Sequence, residues 1–260
     1  MKNTIEYLEK DDTSIKVFSD RWGIITSIKI KVTELLYQDM YDETLFDDSK
    51  SVKWWIPYMF PNAWPLNDVE KEKSWFKLPQ HWTWRINKWE KIDSLPWEYK
   101  QKYNLKSSEI FPYEADVFNT IKIEGEWVNI LHEVINNSDI ELPISTWLHP
   151  YFRVPLWNKE DIEWNFKWWN TIKESVDIWS NDWTISFDNP WKPLDIFIPW
   201  LWNLIIEVSE DYKKFWVRSL PNKDFICIEP VMWNEWSIVN NPVIVSPWDK
   251  NINFMKIALK

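Results

Sequence analysis

Glycine is nearly absent: two residues in a chain of 260, where about 7% is ordinary. Cysteine is nearly absent too. The single Cys227, in the apolar run Phe225-Ile226-Cys227-Ile228, excludes a disulfide framework and points to a reducing compartment. No apolar stretch approaches the 18 residues a membrane span needs, and the start, MKNTIEYLEKDD, has no apolar signal core. Positive charge is in deficit, with a formal net charge of −10, which argues against nucleic acid or an anionic membrane surface as partner. There is no phosphate-cradling P-loop and no GxSxG elbow. The expectation is a soluble cytoplasmic protein, monomeric or weakly dimeric, whose partner is a small molecule.

Tryptophan is present in excess, at 24 residues. The indoles fall in strings such as KWWIP (Trp54, Trp55), NAWPL (Trp64), HWTWR (Trp82, Trp84), STWLHP (Trp147), NPWKP (Trp191) and SPWDK (Trp248). Most abut Asn, Asp, Pro, Ser or another Trp. Those are turn contexts, where a chain needs positive φ and glycine supplies it. One reading is that most of these tryptophans stand for glycine, through UGA codons that the source reads as glycine. Trp89 and Trp216, with Trp97 and Trp179, lack the turn signature and read as genuine. The other reading is a truly Trp-rich sugar-binding surface. The crowding of indoles at turns rather than on one strand face speaks against it.

The rest of the chain reads as short strands. Ile28, Ile30 and Val32 alternate with Lys29 and Lys31, the period of a half-buried strand. Strands are also expected over 118–123, 128–135, 162–166, 204–208, 215–217, 225–228, 243–245 and 252–259. A turn at Gly125 separates the first and second of these, and NNSD (136–139), FDNP (187–190) and LPNKD (220–224) mark others. Residues 97–106 are the one candidate for a short helix. Many short strands with regular turns predict an all-β sandwich or barrel, and nothing breaks residues 1–260 into more than one domain.

Three histidines limit the proton chemistry. His149 lies in LPISTWLHPYFR (142–153), where Pro150 biases it toward extended backbone and Tyr151 and Phe152 flank it with aromatic surface. Alone, such a residue reads as a core histidine with its hydrogen bonds satisfied. His132, in ILHEVI, reads as a solvated strand residue. His81, in LPQHWTWR, reads as a polar turn with Arg85 close by, and becomes a tight ligand-approaching loop if 82 and 84 are glycine. Glu229 closes the apolar strand FICIE before Pro230, so partial desolvation should raise its pKa toward that of a useful general base. Asp195, in PLDIFI, also interrupts an apolar run and could bind a hydroxyl. His81 and His149 show no metal-ligand spacing with each other or with Cys227, so neither a metal nor another cofactor is expected.

With glycine read at the suspect tryptophans, residues 53–66 become KGGIPYMFPNAGPL, 78–89 become LPQHGTGRINKW, 145–152 become STGLHPYF and 225–236 become FICIEPVMGNEG. These four motifs, in order and in register across nearly the whole chain, resemble the aldose 1-epimerases, or galactose mutarotases, and the related hexose-6-phosphate 1-epimerases. The resemblance implies a single-domain galactose mutarotase-like β-supersandwich with a sugar cleft on one sheet face. It implies cofactor-free exchange of the α and β anomers of an aldose. By position, Glu229 matches the family's general base, His149 its general acid, His81 its second active-site histidine and Asp195 its hydroxyl-binding aspartate. Arg85 matches an arginine of the phosphosugar branch. Lys53 stands where that branch usually has arginine, and Pro65 stands where the plain aldose branch often has one, so neither branch is fully matched and the substrate is a sugar or a sugar phosphate. The alternative is a catalytically silent carbohydrate-binding protein on the same scaffold. The acid–base pair speaks against it, since binding alone does not require both.

Overall fold

The computed structural model describes residues 4–20, 23–38, 54–62, 66, 78, 89–155, 161–164, 183–198, 201–233 and 237–260. In chain order their strands are β1 (Ile5–Lys10), β2 (Thr13–Phe18), β3 (Ile24–Ile30), β4 (Thr33–Glu34), β5 (Tyr58–Met59), β6 (Glu90–Leu95), β7 (Glu98–Leu105), β8 (Ala115–Glu124), β9 (Trp127–Asn136) and β10 (Leu142–Ile144). They continue as β11 (Trp147–Leu148), β12 (Tyr151–Arg153), β13 (Glu163–Trp164), β14 (Trp183–Asp188), β15 (Leu194–Ile198), β16 (Trp202–Val208), β17 (Lys214–Ser219), β18 (Phe225–Val231), β19 (Val243–Val245) and β20 (Lys250–Leu259). One helical turn, α1 (Ser237–Asn240), lies between β18 and β19. Among the described residues no helix is long and apolar enough to cross a membrane.

Two antiparallel sheets carry the architecture. The larger runs β13-β15-β16-β20-β9-β8-β7-β6, and the second runs β14-β17-β18-β11-β5, with β12 also paired to β18. A four-stranded sheet, β1-β2-β3-β4, and the pair β10-β19 complete the set. The long strands follow from period-2 patterning in β-branched residues. In β9, Val128, Ile130 and Val134 are fully buried, while Asn129, Leu131 and Glu133 point the other way and are half-buried. β8 and β9 are joined by a two-residue turn whose first residue, Gly125, has φ +60°, the left-handed geometry such hairpins favour. Ile121, Ile130, Met255 and Ile257 of the large sheet share one buried cluster with Leu148, Phe152, Ile226 and Ile228 of the second. Each such fully buried side chain contributes roughly 1.5–3 kcal/mol. Tyr58 of β5 stacks on His132 of β9, ring centroids 3.6 Å apart, and so joins the two sheets.

Three expectations are corrected. Residues 98–105 are the strand β7, not a helix; Tyr99 and Gln101 both turn inward, and the buried amide hides the apolar alternation. The strand at Ile28 ends at Ile30: Lys31 has φ +57°, and Val32 is 94% exposed in the turn to β4. His132 is not solvated. It alternates inward with Ile130 and Val134 and is completely buried.

Candidate active site

The site is built on β18 and the segment that pairs with it. β11 pairs with β18 through Trp147 opposite Val231, and β12 pairs with it through Tyr151 opposite Cys227. Between those anchors His149 falls opposite Glu229. Pro150 interrupts the ladder there, since it has no N–H to donate, and β11 and β12 are separate short strands for that reason. The backbone of His149 is fixed from another side, its N–H donating to the Pro57 carbonyl at 3.0 Å, while the Tyr151 N–H donates to the Trp55 carbonyl at 2.9 Å. On β17, Trp216 lies opposite Glu229 and Arg218 opposite Cys227. One sheet face therefore carries Trp216, Arg218, Cys227, Glu229, Tyr151, His149 and Trp147.

His149 Nε2 lies 3.2 Å from Glu229 Oε1 and 3.4 Å from the Tyr151 hydroxyl. The imidazole also stacks on the Tyr151 ring, centroids 4.5 Å apart and planes 7° apart, which fixes its orientation. Both partners are buried, at 9% exposure for His149 and 3% for Glu229. Burial pushes the Glu229 carboxyl up from 4.5 to about 8, against the pull of the Arg218 guanidinium, which favours the charged form. A carboxyl with that affinity for a proton is a far stronger base, once ionised, than an exposed glutamate, and its pKa falls near neutral operating pH. An imidazole within reach of both a carboxyl and a phenol can donate a proton to one atom of a ligand while the carboxylate takes one from another.

Of the residues singled out from the sequence, the structure brings His149 and Glu229 together. Asp195 does not join them. It sits on β15 of the large sheet and alternates away from the buried Leu194, Ile196 and Ile198, on the face turned from the interior. His81, Arg85 and Lys53 lie outside the described residues. Sequence reasoning placed Tyr151 beside His149 as aromatic surface but missed the reach of its hydroxyl to Nε2, and it missed Arg218. For Arg218 the signal was alternation: in KFWVRS, Phe215 and Val217 are inward, which puts Trp216 and Arg218 on the other face.

Cys227 was read by its sequence spacing alone, and strand pairing changes its neighbourhood. Donor atoms of His149, Cys227 and Glu229 all lie within 4.8 Å of one another. Among the described residues these three could hold a metal ion. Donors around a tetrahedral zinc sit about 2.0–2.3 Å from the ion, hence roughly 3.3–3.8 Å apart, so the cluster would have to contract, with the Arg218 cation beside it.

No family model matches the sequence, and no curated protein matches it. Solved structures do match. The Slr1438 protein from Synechocystis sp. PCC 6803 superposes with a TM-score of 0.83 at 20% identity, covering 99% of this chain and 96% of that one. A galactose mutarotase related enzyme from Lactobacillus acidophilus gives 0.76 at 15% identity, over 99% and 97%. A galactose mutarotase-like protein from Clostridium acetobutylicum gives 0.75 at 14% identity, over 96% and 93%. The fold is the galactose mutarotase-like β-sandwich.

Proposed function

We propose that the protein is an aldose 1-epimerase, interconverting the α and β anomers of a hexose or hexose 6-phosphate. The observation that carries this reading is the buried His149–Glu229 pair at 3.2 Å, with the carboxyl held near pKa 8. In the free protein the two groups face each other. A pyranose entering between them sets its C1 hydroxyl against the Glu229 carboxylate and its ring oxygen against the His149 imidazolium.

The proton ledger then closes. Glu229 takes the hydroxyl proton, the C1 carbonyl forms, the C1–ring oxygen bond breaks, and His149 supplies the proton the ring oxygen needs. Rotation about C1–C2 presents the other carbonyl face. Ring closure runs the same transfers backward, His149 recovering its proton and Glu229 returning one to the new hydroxyl. Tyr151 holds the imidazole plane through stacking, and Arg218 lowers the Glu229 pKa and so raises the share of carboxylate able to take the proton. We take residue 147 as glycine in the active protein, because the indole written there packs with Met59, Val231 and Trp216 beside the carboxylate. His81, Arg85 and Lys53 are proposed to contact the sugar or its 6-phosphate.

The test is anomer exchange followed by polarimetry or exchange NMR on glucose, galactose and glucose 6-phosphate, with a chain carrying Trp54→Gly and Trp147→Gly. Exchange well above the buffer rate on one of these sugars is expected. A folded protein that accelerates none of them defeats the proposal.

A further inference from the structure

We propose that Trp54, Trp55, Trp191 and Trp248 occupy positions where the working protein carries glycine, encoded by codons its source translates as glycine, and that two of these positions shape the sugar pocket. The backbone carries the argument. Seven non-glycine residues among those described have positive φ, and four are tryptophan: Trp54 (+69°), Trp55 (+62°), Trp191 (+57°) and Trp248 (+62°). The other three are Asp11, Lys31 and Asn222, in tight turns between paired strands. Both written glycines, Gly23 and Gly125, are left-handed as well. A bulky aromatic is a genuine outlier in that region, where Cβ crowds the backbone. Four such outliers of one residue type, in a chain almost without glycine, share one cause.

Two of the turns specify glycine by their own geometry. In Ser246-Pro247-Trp248-Asp249 the Asp249 N–H donates to the Ser246 carbonyl at 3.1 Å, proline stands second, and the third residue has positive φ. That is a type II turn, whose third position requires glycine or asparagine. Asn189-Pro190-Trp191-Lys192 repeats the proline-then-positive-φ order, with the Trp191 N–H donating to Asn189 Oδ1 at 3.0 Å. Trp191 and Trp248 are 61% and 69% exposed, so little burial offsets the strain, although Lys213 Nζ lies 5.1 Å from the Trp191 ring centroid. Trp54 and Trp55 are buried instead, and their indole N–H groups have no hydrogen-bond partner among the described residues. A buried tryptophan ordinarily finds one.

The consequence reaches the site. The Trp55 carbonyl holds the Tyr151 N–H, so the left-handed pair sets the position of the segment bearing His149. The Trp54 ring packs 5.3 Å from both the Tyr151 and Phe225 rings, with Lys223 Nζ 5.2 Å above it. With glycine at 54 the backbone turn is unstrained, and that volume opens beside Tyr151 to a hexose ring, under the Lys223 ammonium.

The test has two arms that do not involve sugar, so they stand or fall apart from the catalytic reading. Thermal unfolding compares Trp191→Gly and Trp248→Gly with Trp97→Gly, an exposed tryptophan of ordinary φ. The first two are expected to raise Tm, each by about 2–4 °C for a domain of this size, and the third to lower it. Loss of Tm in all three overturns the proposal. Peptide mass spectrometry of the protein from its source is expected to give glycine residue masses at 54, 55, 191 and 248; intact tryptophan there also overturns it. Trp54→Gly is further expected to tighten hexose binding, read as a lower Kd in titration calorimetry. An unchanged Kd removes the pocket half of the proposal.

Discussion

His149 and His132 lie on two different sheets, each buried and each stacked on a tyrosine ring. His149 meets a carboxylate and a phenol. His132 meets neither: its two ring nitrogens have no hydrogen-bond partner among the described residues, and burial drives its pKa down to about 3. It belongs to an inward row of aligned polar side chains, Gln101, Asn119, His132 and Asn253, running across four strands of the large sheet. The contrast teaches that burial alone silences an imidazole. Chemistry needs burial plus an opposite partner that also cannot escape to water.

The sharpest way to break the comparison is to remove the partners. His149→Asn and Glu229→Gln should each cost roughly 10²–10⁴-fold in anomer exchange measured by polarimetry, with little loss of fold. His132→Phe should leave the rate unchanged. If His132→Phe were as damaging as His149→Asn, the distinction between the two rings would collapse.

Next in size is the cation. Removing it in Arg218→Met takes away a charge that lowers the Glu229 pKa, so the acid limb of the rate–pH profile should move to higher pH. The rate at pH 6–7 should drop by roughly tenfold for each unit the limb moves. A profile that stays in place separates Arg218 from the carboxyl.

The stability of the fold should report the same carboxyl. Its folded pKa is raised from 4.5 to about 8, so the folded state holds the proton more tightly than the unfolded state does. Stability is therefore greatest below pH 4.5 as far as this group is concerned. It falls as pH rises from 4.5 to 8 and levels off above, by on the order of 5 kcal/mol at the upper limit. Urea titrations across that range should show the decline in the parent chain and its loss in Glu229→Gln. The smallest effect belongs to His132→Phe, which keeps a flat ring stacked on Tyr58 within the polar row and should change unfolding free energy by less than about 1.5 kcal/mol.

What the sequence disclosed follows from which patterns survive without the fold. β9, β18 and β20 were readable because runs such as VNILHEVI and FICIE are apolar and β-branched. β7 was obscured because an amide, Gln101, takes an inward place where an apolar residue was expected. The same rule of alternation that fixed Ile130 and Val134 could have placed His132 inside; the adjacent Glu133, which does face outward, drew attention to polarity instead of position. Glu229 was legible as a carboxylate following an apolar run, although β18 carries on past it to Val231. Its meeting with His149 was legible only through resemblance, since 80 residues of chain separate them and strand pairing alone brings them into contact. Asp195 shows the limit of that resemblance, because a carboxylate in an apolar run looks alike whichever sheet face it decorates.

β18 is one unbroken strand, while the residues opposite it come in two short pieces with His149 at the break. His149 and Glu229 are thus tethered to a common rail. When the sheet breathes they travel together, and their separation is preserved until the rail itself detaches. Heat inactivation should accordingly coincide with loss of amide protection along 226–231, with no intermediate in which half of the proton-handling couple survives.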